Sequence, residues 1–142
     1  MMITQQCAHL PNCICRTVIK IDRLQKKHEC SSDRVVTPLI LFNKDFKPFK
    51  AFGNVGDVID DCFGCFETSI FKIEEVCKTS CCGKLSLLRP IDEHGCLAKS
   101  ICEVFRLEET DFCVEVDFHC FCALQRLSMA LVKRPFGGIH PK

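Results

Sequence analysis

The residues with chemistry to offer in this chain are cysteines, and they come in close sets. Cys7, Cys13 and Cys15 stand near the start, then Cys62 and Cys65, then Cys77, Cys81 and Cys82, then Cys113, Cys120 and Cys122, with Cys30, Cys96 and Cys102 between the sets. Thiols this close can ligate a metal, exchange electrons or form covalent bridges. The spacing does not favour the first two. Cys62-Phe63-Gly64-Cys65 is a CxxC, but a zinc ribbon needs a second CxxC about 15 to 20 residues later. The next thiols are instead Cys77 and the adjacent pair Cys81-Cys82, and the five histidines stand singly. A thioredoxin-like CxxC opens a helix after a strand, where the helix dipole lowers the thiol pKa. Here Phe66 leads through Thr68-Ser69 into a strand near Ile70.

Nucleophilic catalysis finds no constellation either. Read on one strand, Cys113 and His119 share a face but lie about 20 Å apart. Gly53-Asn54-Val55-Gly56 lacks the Lys and Ser/Thr of a phosphate loop and reads as a turn. No catalytic residue, metal ligand set or cofactor site is predicted, and the chain is read as a non-enzyme.

Fourteen cysteines in 142 residues is a density typical of exported, disulfide-stapled domains. Yet Met1 to Cys7 has no basic leader, apolar core or small-residue cleavage site, so synthesis in a reducing cytoplasm is expected. Three explanations stay open: metal binding, redox chemistry, or later oxidation that cross-links the protein. A chain of this length can bury a core without staples. Net charge is +1, which offers nothing to the phosphates of a nucleic acid. No apolar run approaches the roughly 20 residues of a membrane span. With 12 Phe and neither Trp nor Tyr, the aromatic residues supply buried area without a polar handle.

The elements that must position the thiols can be read from periodicity. Residues 1–15 read as an arm. Arg16 to His28 reads as a short helix, with Ile14, Val18, Ile21 and Leu24 or Gln25 on one face and an Asp22–Lys26 pair on another. Cys30 to Asp33 reads as a linker. Thr37 to Asn43 is a continuous apolar run, suited to a strand buried on both faces. Pro48 to Phe52 reads as its hairpin partner. Ile70–Val76, Lys84–Leu88 and Ile101–Glu108 are further strands, with turns at Cys82-Gly83 and Glu93-His94-Gly95.

Phe112 to Leu124 reads as one long strand. Phe112, Val114, Val116, Phe118, Cys120, Cys122 and Leu124 fall on one face, and Cys113, Glu115, Asp117 and His119 on the other. The predicted fold is all-β, an antiparallel sandwich-like domain with an N-terminal arm and short helix. Its boundaries are residues 1–34 for the Cys-bearing arm, 35–127 for the sandwich and 128–142 for a tail.

On that frame, local closure of the thiols is disfavoured. Cys120 and Cys122 on one strand would sit about 6.8 Å apart with parallel Cβ vectors. They are expected as intra-domain bridges to other partners, or as buried thiols. Cys7, Cys13, Cys15 and Cys30 lie in an arm or linker with little core to bury them, which makes them candidates for bridges between subunits. Cys62, Cys65, Cys77, Cys81, Cys82 and Cys96 are left unassigned.

Several ordered blocks then resemble a known family. Cys113-Val114-Glu115-Val116-Asp117 followed by Cys120-Phe121-Cys122-Ala123-Leu124-Gln125-Arg126-Leu127 is similar to the C-terminal signature of the cysteine-rich spore coat and exosporium proteins of the CotY/CotZ/ExsY type. Thr37 to Phe42, Pro48 to Gly56 and Cys102 to Glu108 resemble blocks of the same family, so the likeness runs from about residue 35 to 127. The resemblance implies a structural, self-assembling protein made in the mother cell and carried to the spore surface. It implies ordered, often hexagonal sheets, made insoluble by intermolecular disulfides once the mother cell lyses. The family's core thiols correspond to Cys102, Cys113, Cys120 and Cys122. The implied partners are further copies of the chain and other coat or exosporium proteins, with no nucleic acid and no membrane. A cytosolic zinc-binding or thiol redox protein is the alternative.

Overall fold

The computed structural model describes residues 12–30, 34–59 and 62–134, with side chains for all of these except 55–59 and 62–64. Helix α1, Cys13–Lys27, starts where Asn12 can cap it, and the Asn12 side-chain oxygen accepts from the Cys15 amide at 2.8 Å. Cys15, Val18, Ile21 and Gln25 form its buried face. Lys26 and Lys27 sit in the last turn, where cations complement the helix dipole, and Lys26 pairs with Asp22 at 3.1 Å. The helix therefore begins three residues earlier than periodicity predicts and takes Cys13 and Cys15 out of the expected arm. The remainder of that arm, with Cys7, lies outside the described residues.

Seven strands follow among the described residues: β1 (Leu39–Asn43), β2 (Ala51–Ile59), β3 (Cys62–Thr68), β4 (Phe71–Val76), β5 (Cys82–Ile91), β6 (Arg106–Asp117) and β7 (Phe121–Arg126). They form a five-stranded antiparallel sheet, ordered β6-β5-β4-β1-β7, and a two-stranded β2-β3 sheet. The fold is mostly β with one N-terminal helix, as the strand pattern predicts.

The continuous apolar run of β1 is explained by burial on both faces. Leu39 and Leu41 join a core with Val18, Ile21, Phe71, Ile73, Leu85, Leu87 and Phe118, while Ile40 joins Ile70, Leu88 and Leu107 on the opposite side. Phe49 joins the first core, with ring centroids 5.4 Å from Phe71 and 5.3 Å from Phe121. Phe rings, with no polar atom to satisfy, suit this apolar core.

The structure corrects four local expectations, besides trimming the strand predicted over Ile101–Glu108, of which Ile101–Glu103 is a 3-10 turn and strand begins only at Arg106. The hairpin predicted between Thr37–Asn43 and Pro48–Phe52 reduces to one bridge, Phe42 to Pro48, and β2 leaves to pair with β3. The Gly53 to Asp57 loop is instead part of β2, with Gly53 opposite Phe66. A Cβ at Gly53 would lie 2.5 Å from the Phe66 ring, so glycine marks close packing there and not a turn. Cys82-Gly83 likewise opens β5, because a Cβ at Gly83 would collide with the Glu75 carbonyl oxygen and approach the Phe118 ring at 2.8 Å.

The fourth correction is the largest. The single strand predicted over Phe112–Leu124 is two strands on opposite edges of the five-stranded sheet, separated by a 3-10 turn at Phe118–Cys120. Asp117 caps that turn, its carboxylate accepting from the His119 amide at 2.9 Å. Alternation holds up to Phe118, which is fully buried, and fails beyond it.

One ion-pair network ties the segment before β1 to the sheet edge. Arg34 donates to both oxygens of Glu109 at 2.8 and 2.7 Å, and Lys72 reaches Glu109 at 3.2 Å. The Arg34 hydrogen bonds, chiefly, hold the Glu109 carboxyl down at about 2. A carboxyl held low favours the fold while ionised. The benefit is therefore complete above its ordinary value near 4.5 and lost as pH falls toward 2. Because both partners are part-exposed, about 1 kcal/mol is the expected size. Glu109→Gln should flatten the slope of unfolding free energy between those pH values in urea titrations. An unchanged slope would place the acid sensitivity elsewhere.

Candidate functional site

The thiols divide sharply by environment. Cys15 and Cys81 are interior, 1% and 4% exposed, and form a disulfide with a Cα–Cα distance of 5.9 Å across a sequence separation of 66. The bond joins the first turn of α1 to the β4–β5 connection. That connection is held by a closed set of backbone bonds: Cys81 N–H to Cys77 C=O at 2.8 Å, Cys77 N–H to Cys82 C=O at 2.8 Å, and Phe118 N–H to Cys81 C=O at 3.0 Å. Cys81 has φ of 59°, a left-handed conformation unusual for a non-glycine residue, fixed by those three bonds. His119 lies beside the pair, and its Nδ1 is hydrogen-bonded to Asp117 Oδ1 at 2.8 Å. The hydrogen bonds from the His119 amide and ring keep the Asp117 carboxyl below the usual range.

Nine other described thiols are free and exposed: Cys13, Cys30, Cys65, Cys77, Cys82, Cys102, Cys113, Cys120 and Cys122. Cys96 is half-buried. Cysteine is ordinarily among the most buried residue types, so this distribution is the reverse of a structural norm. The side chains of Cys7 and Cys62 lie outside the described residues.

Two sets of site expectations change as a result. Cys15, expected to bridge subunits, is closed within its own chain, because α1 turns it into the core. Cys13 and Cys30 of the same set are exposed. Cys120 and Cys122, expected as intra-domain bridges or buried thiols, and Cys102 and Cys113, grouped with them by the family resemblance, are all exposed. Cys113 shares the solvent face of β6 with Glu115 and Asp117, and Cys102 and Cys120 fall in 3-10 turns. On β7 the buried position goes to Phe121, which leaves Cys122 outside with its thiol on the Asn43 carbonyl oxygen at 3.0 Å. No sequence signal identifies the Cys15–Cys81 pair, since only the docking of α1 on the sheet brings the two together.

The exposed thiols are not chemically equal. Cys77 sits where the hydroxyls of Ser80 and Thr79 stabilise its thiolate, which pulls its pKa down to about 6. It is therefore a nucleophile at neutral pH. Cys113 is pushed the other way, by burial of its sulfur and by the Glu74 carboxylate. The surface thus offers one thiol pulled toward the thiolate, on the β4–β5 connection, and one held back from it, on β6.

These features define a cysteine-rich, mostly β protein with, among the described residues, one internal disulfide and a surface carrying nine free thiols. Comparison with known proteins agrees with that class. The family model described as spore coat protein Z matches residues 2–129. The spore coat protein Z of Bacillus subtilis (strain 168) is 42% identical over 102 residues, an alignment that covers 68% of this chain and 66% of that protein's length. The chain belongs to the spore coat protein Z family. No solved structure matches it.

Proposed function

We propose that this chain is a structural subunit of the bacterial spore surface, in the crust or exosporium, joined to copies of itself and to other coat proteins by disulfides. The observation that carries the reading is the row of exposed free thiols, a surface that serves covalent assembly and little else. Their placement supports lateral contacts. Among the described residues β6 and β7 each pair on one side only, so the five-stranded sheet has two edges with backbone groups to offer. Cys113 stands on β6 and Cys122 on β7. Joining β6 of one copy to β7 of the next is a heterologous contact, the kind that closes into rings when the rotation allows. Rings, hexamers by the family resemblance, then tile into a two-dimensional lattice. Cys13 and Cys30, both exposed, are available for bridges between subunits or rings, and Cys7 is a further candidate from the sequence.

The reading fits synthesis in a reducing cytoplasm and oxidation afterwards. Cys77, its thiol pKa lowered by the Ser80 and Thr79 hydroxyls, would exchange first. The chain acts here by assembling and not by turnover.

The test is electrophoresis and electron microscopy of the purified chain. Oxidised protein should run as a ladder of high multimers and show regular sheets, and reductant should collapse the ladder to monomer. Replacing Cys102, Cys113, Cys120 and Cys122 together with serine should remove most of the ladder. A wild-type chain that stays monomeric under oxidising conditions would overturn the proposal.

A further inference from the structure

The Cys15–Cys81 bond is one of two states these sulfurs can adopt. The ligand atoms of Cys15, Cys81 and His119 all lie within 4.8 Å of one another, in a buried setting that three separate elements create. Two thiolates and an imidazole form a donor set that suits zinc, and they need a tetrahedral arrangement with metal–sulfur distances of about 2.3 Å. Around such an ion the sulfurs stand roughly 3.8 Å apart, so the bonded pair must separate on reduction, while all three ligand atoms already lie within 4.8 Å of one another. The backbone is already fixed by the bonds that hold Cys81 to Cys77 and Phe118.

The second observation lies behind the histidine. Asp117 engages His119 Nδ1 at 2.8 Å, leaving Nε2 as the free ring nitrogen. A metal-ligating histidine almost always has such a carboxylate or carbonyl partner, which fixes its tautomer and raises its basicity. The same carboxylate accepts from the His119 amide at 2.9 Å, so ring and backbone are oriented together. A histidine that only faced solvent would need neither bond.

We propose that, in the reduced chain, Cys15, Cys81 and His119 bind a zinc-class divalent cation, and that formation of the Cys15–Cys81 disulfide expels it. On binding, two thiol protons leave for solvent, and two metal–sulfur bonds and one metal–nitrogen bond form. Three protein ligands would leave the fourth position of a tetrahedral ion open to water. On oxidation by a low-molecular-weight disulfide, one cysteine thiolate attacks its S–S bond and releases one thiolate. The second cysteine then displaces the other, closing the Cys15–Cys81 bond. Two electrons pass to the reagent, its two thiolates take protons from solvent, and the cation departs. Metal and disulfide are alternative staples for the same joint between α1 and the sheet.

The experiment uses the full chain, purified and kept under reductant. Cobalt(II) serves as the spectroscopic probe and zinc as its competitor. The expected result is one site with thiolate-to-cobalt charge-transfer absorption that zinc displaces. Cys15→Ser or Cys81→Ser should abolish it, and His119→Ala should weaken binding by at least about ten-fold. Asp117→Asn should weaken it by about ten-fold or more, through the histidine alone. Cys77→Ser and Cys82→Ser, on the same connection, should leave the site intact. Circular dichroism checks that each variant is folded, and His119→Ala, altering a part-exposed residue, keeps the test valid if the serine variants unfold. Added low-molecular-weight disulfide should release zinc in step with the Cys15–Cys81 peptide seen by mass spectrometry. The proposal is overturned if the reduced chain shows no such absorption, or if folded His119→Ala binds cobalt as tightly as the wild type. The assay reads metal on soluble reduced protein, so its outcome is independent of whether the chain forms a lattice.

Discussion

Replacing Cys15 and Cys81 together with serine is expected to cost about 4 kcal/mol of stability under oxidising conditions. The bond closes a sequence separation of 66, and the loop-closure entropy it removes from the unfolded chain is of that size. The loss should appear as a fall in Tm of roughly 12 °C for a chain of this length. Reductant should reproduce the fall in the wild type. The measurement needs the exposed thiols capped by alkylation first, so that unfolding is read on monomer. Cys113→Ser is the matched control, since that thiol is exposed and its replacement should change stability by no more than about 0.5 kcal/mol. A double-variant loss near the control's would mean that the buried face of α1, Gln25 included, holds it to the sheet without the bond. The bond would then be incidental to the fold.

That division between the Cys15–Cys81 bond and the outward thiols could be read only in part from the sequence. The buried stripe of α1 was legible, because Val18, Ile21 and Gln25 recur at helical spacing. So was the two-faced burial of β1, since an unbroken apolar run of strand length has few other uses. The alternation in β6 correctly placed Cys113 outward beside Glu115 and Asp117. It could not show where the strand stops. Phe118 continues the apolar register, and the turn that follows depends on one side-chain bond from Asp117 to the His119 amide. Once that turn intervenes, Cys120 and Cys122 no longer inherit the inward face, and β7 crosses to the far edge of the sheet. Gly53 and Gly83 misled for a related reason. Glycine signals either a turn or a tight approach, and only the rings of Phe66 and Phe118, brought in from elsewhere, select the second. The site was least legible of all. The meeting of Cys15, Cys81 and His119 is a tertiary event, made by a helix end, a strand connection and a capped turn whose separation in sequence hides it.

The residue that makes this meeting possible is Gln25, and its replacement is the second large effect expected. Gln25 is 7% exposed, a polar side chain on the buried face of α1. Its Nε2 donates to the Ile73 carbonyl on β4 at 2.8 Å, and its Oε1 accepts from the Thr37 amide at 3.0 Å, just before β1. One amide therefore fixes the helix against β4 and sets where the chain enters β1. Gln25→Met keeps most of the volume and removes both bonds, leaving a buried backbone donor and acceptor without partners. At about 1 to 3 kcal/mol for each unsatisfied group, a loss of roughly 3 kcal/mol is expected. Leu24→Ala, on the neighbouring exposed position, should cost far less despite removing an apolar side chain, since Leu24 is 45% exposed. Urea denaturation gives the comparison, and hydrogen exchange at the Thr37 amide gives a local readout that should rise only in Gln25→Met. If the two variants lose the same amount, the amide is merely tolerated in the core. If Gln25 dominates, the helix is placed by a polar contact that no apolar substitute can imitate. Hydrophobic burial alone would let α1 slide or rotate on the sheet, and the register of Cys15 over Cys81 depends on its doing neither.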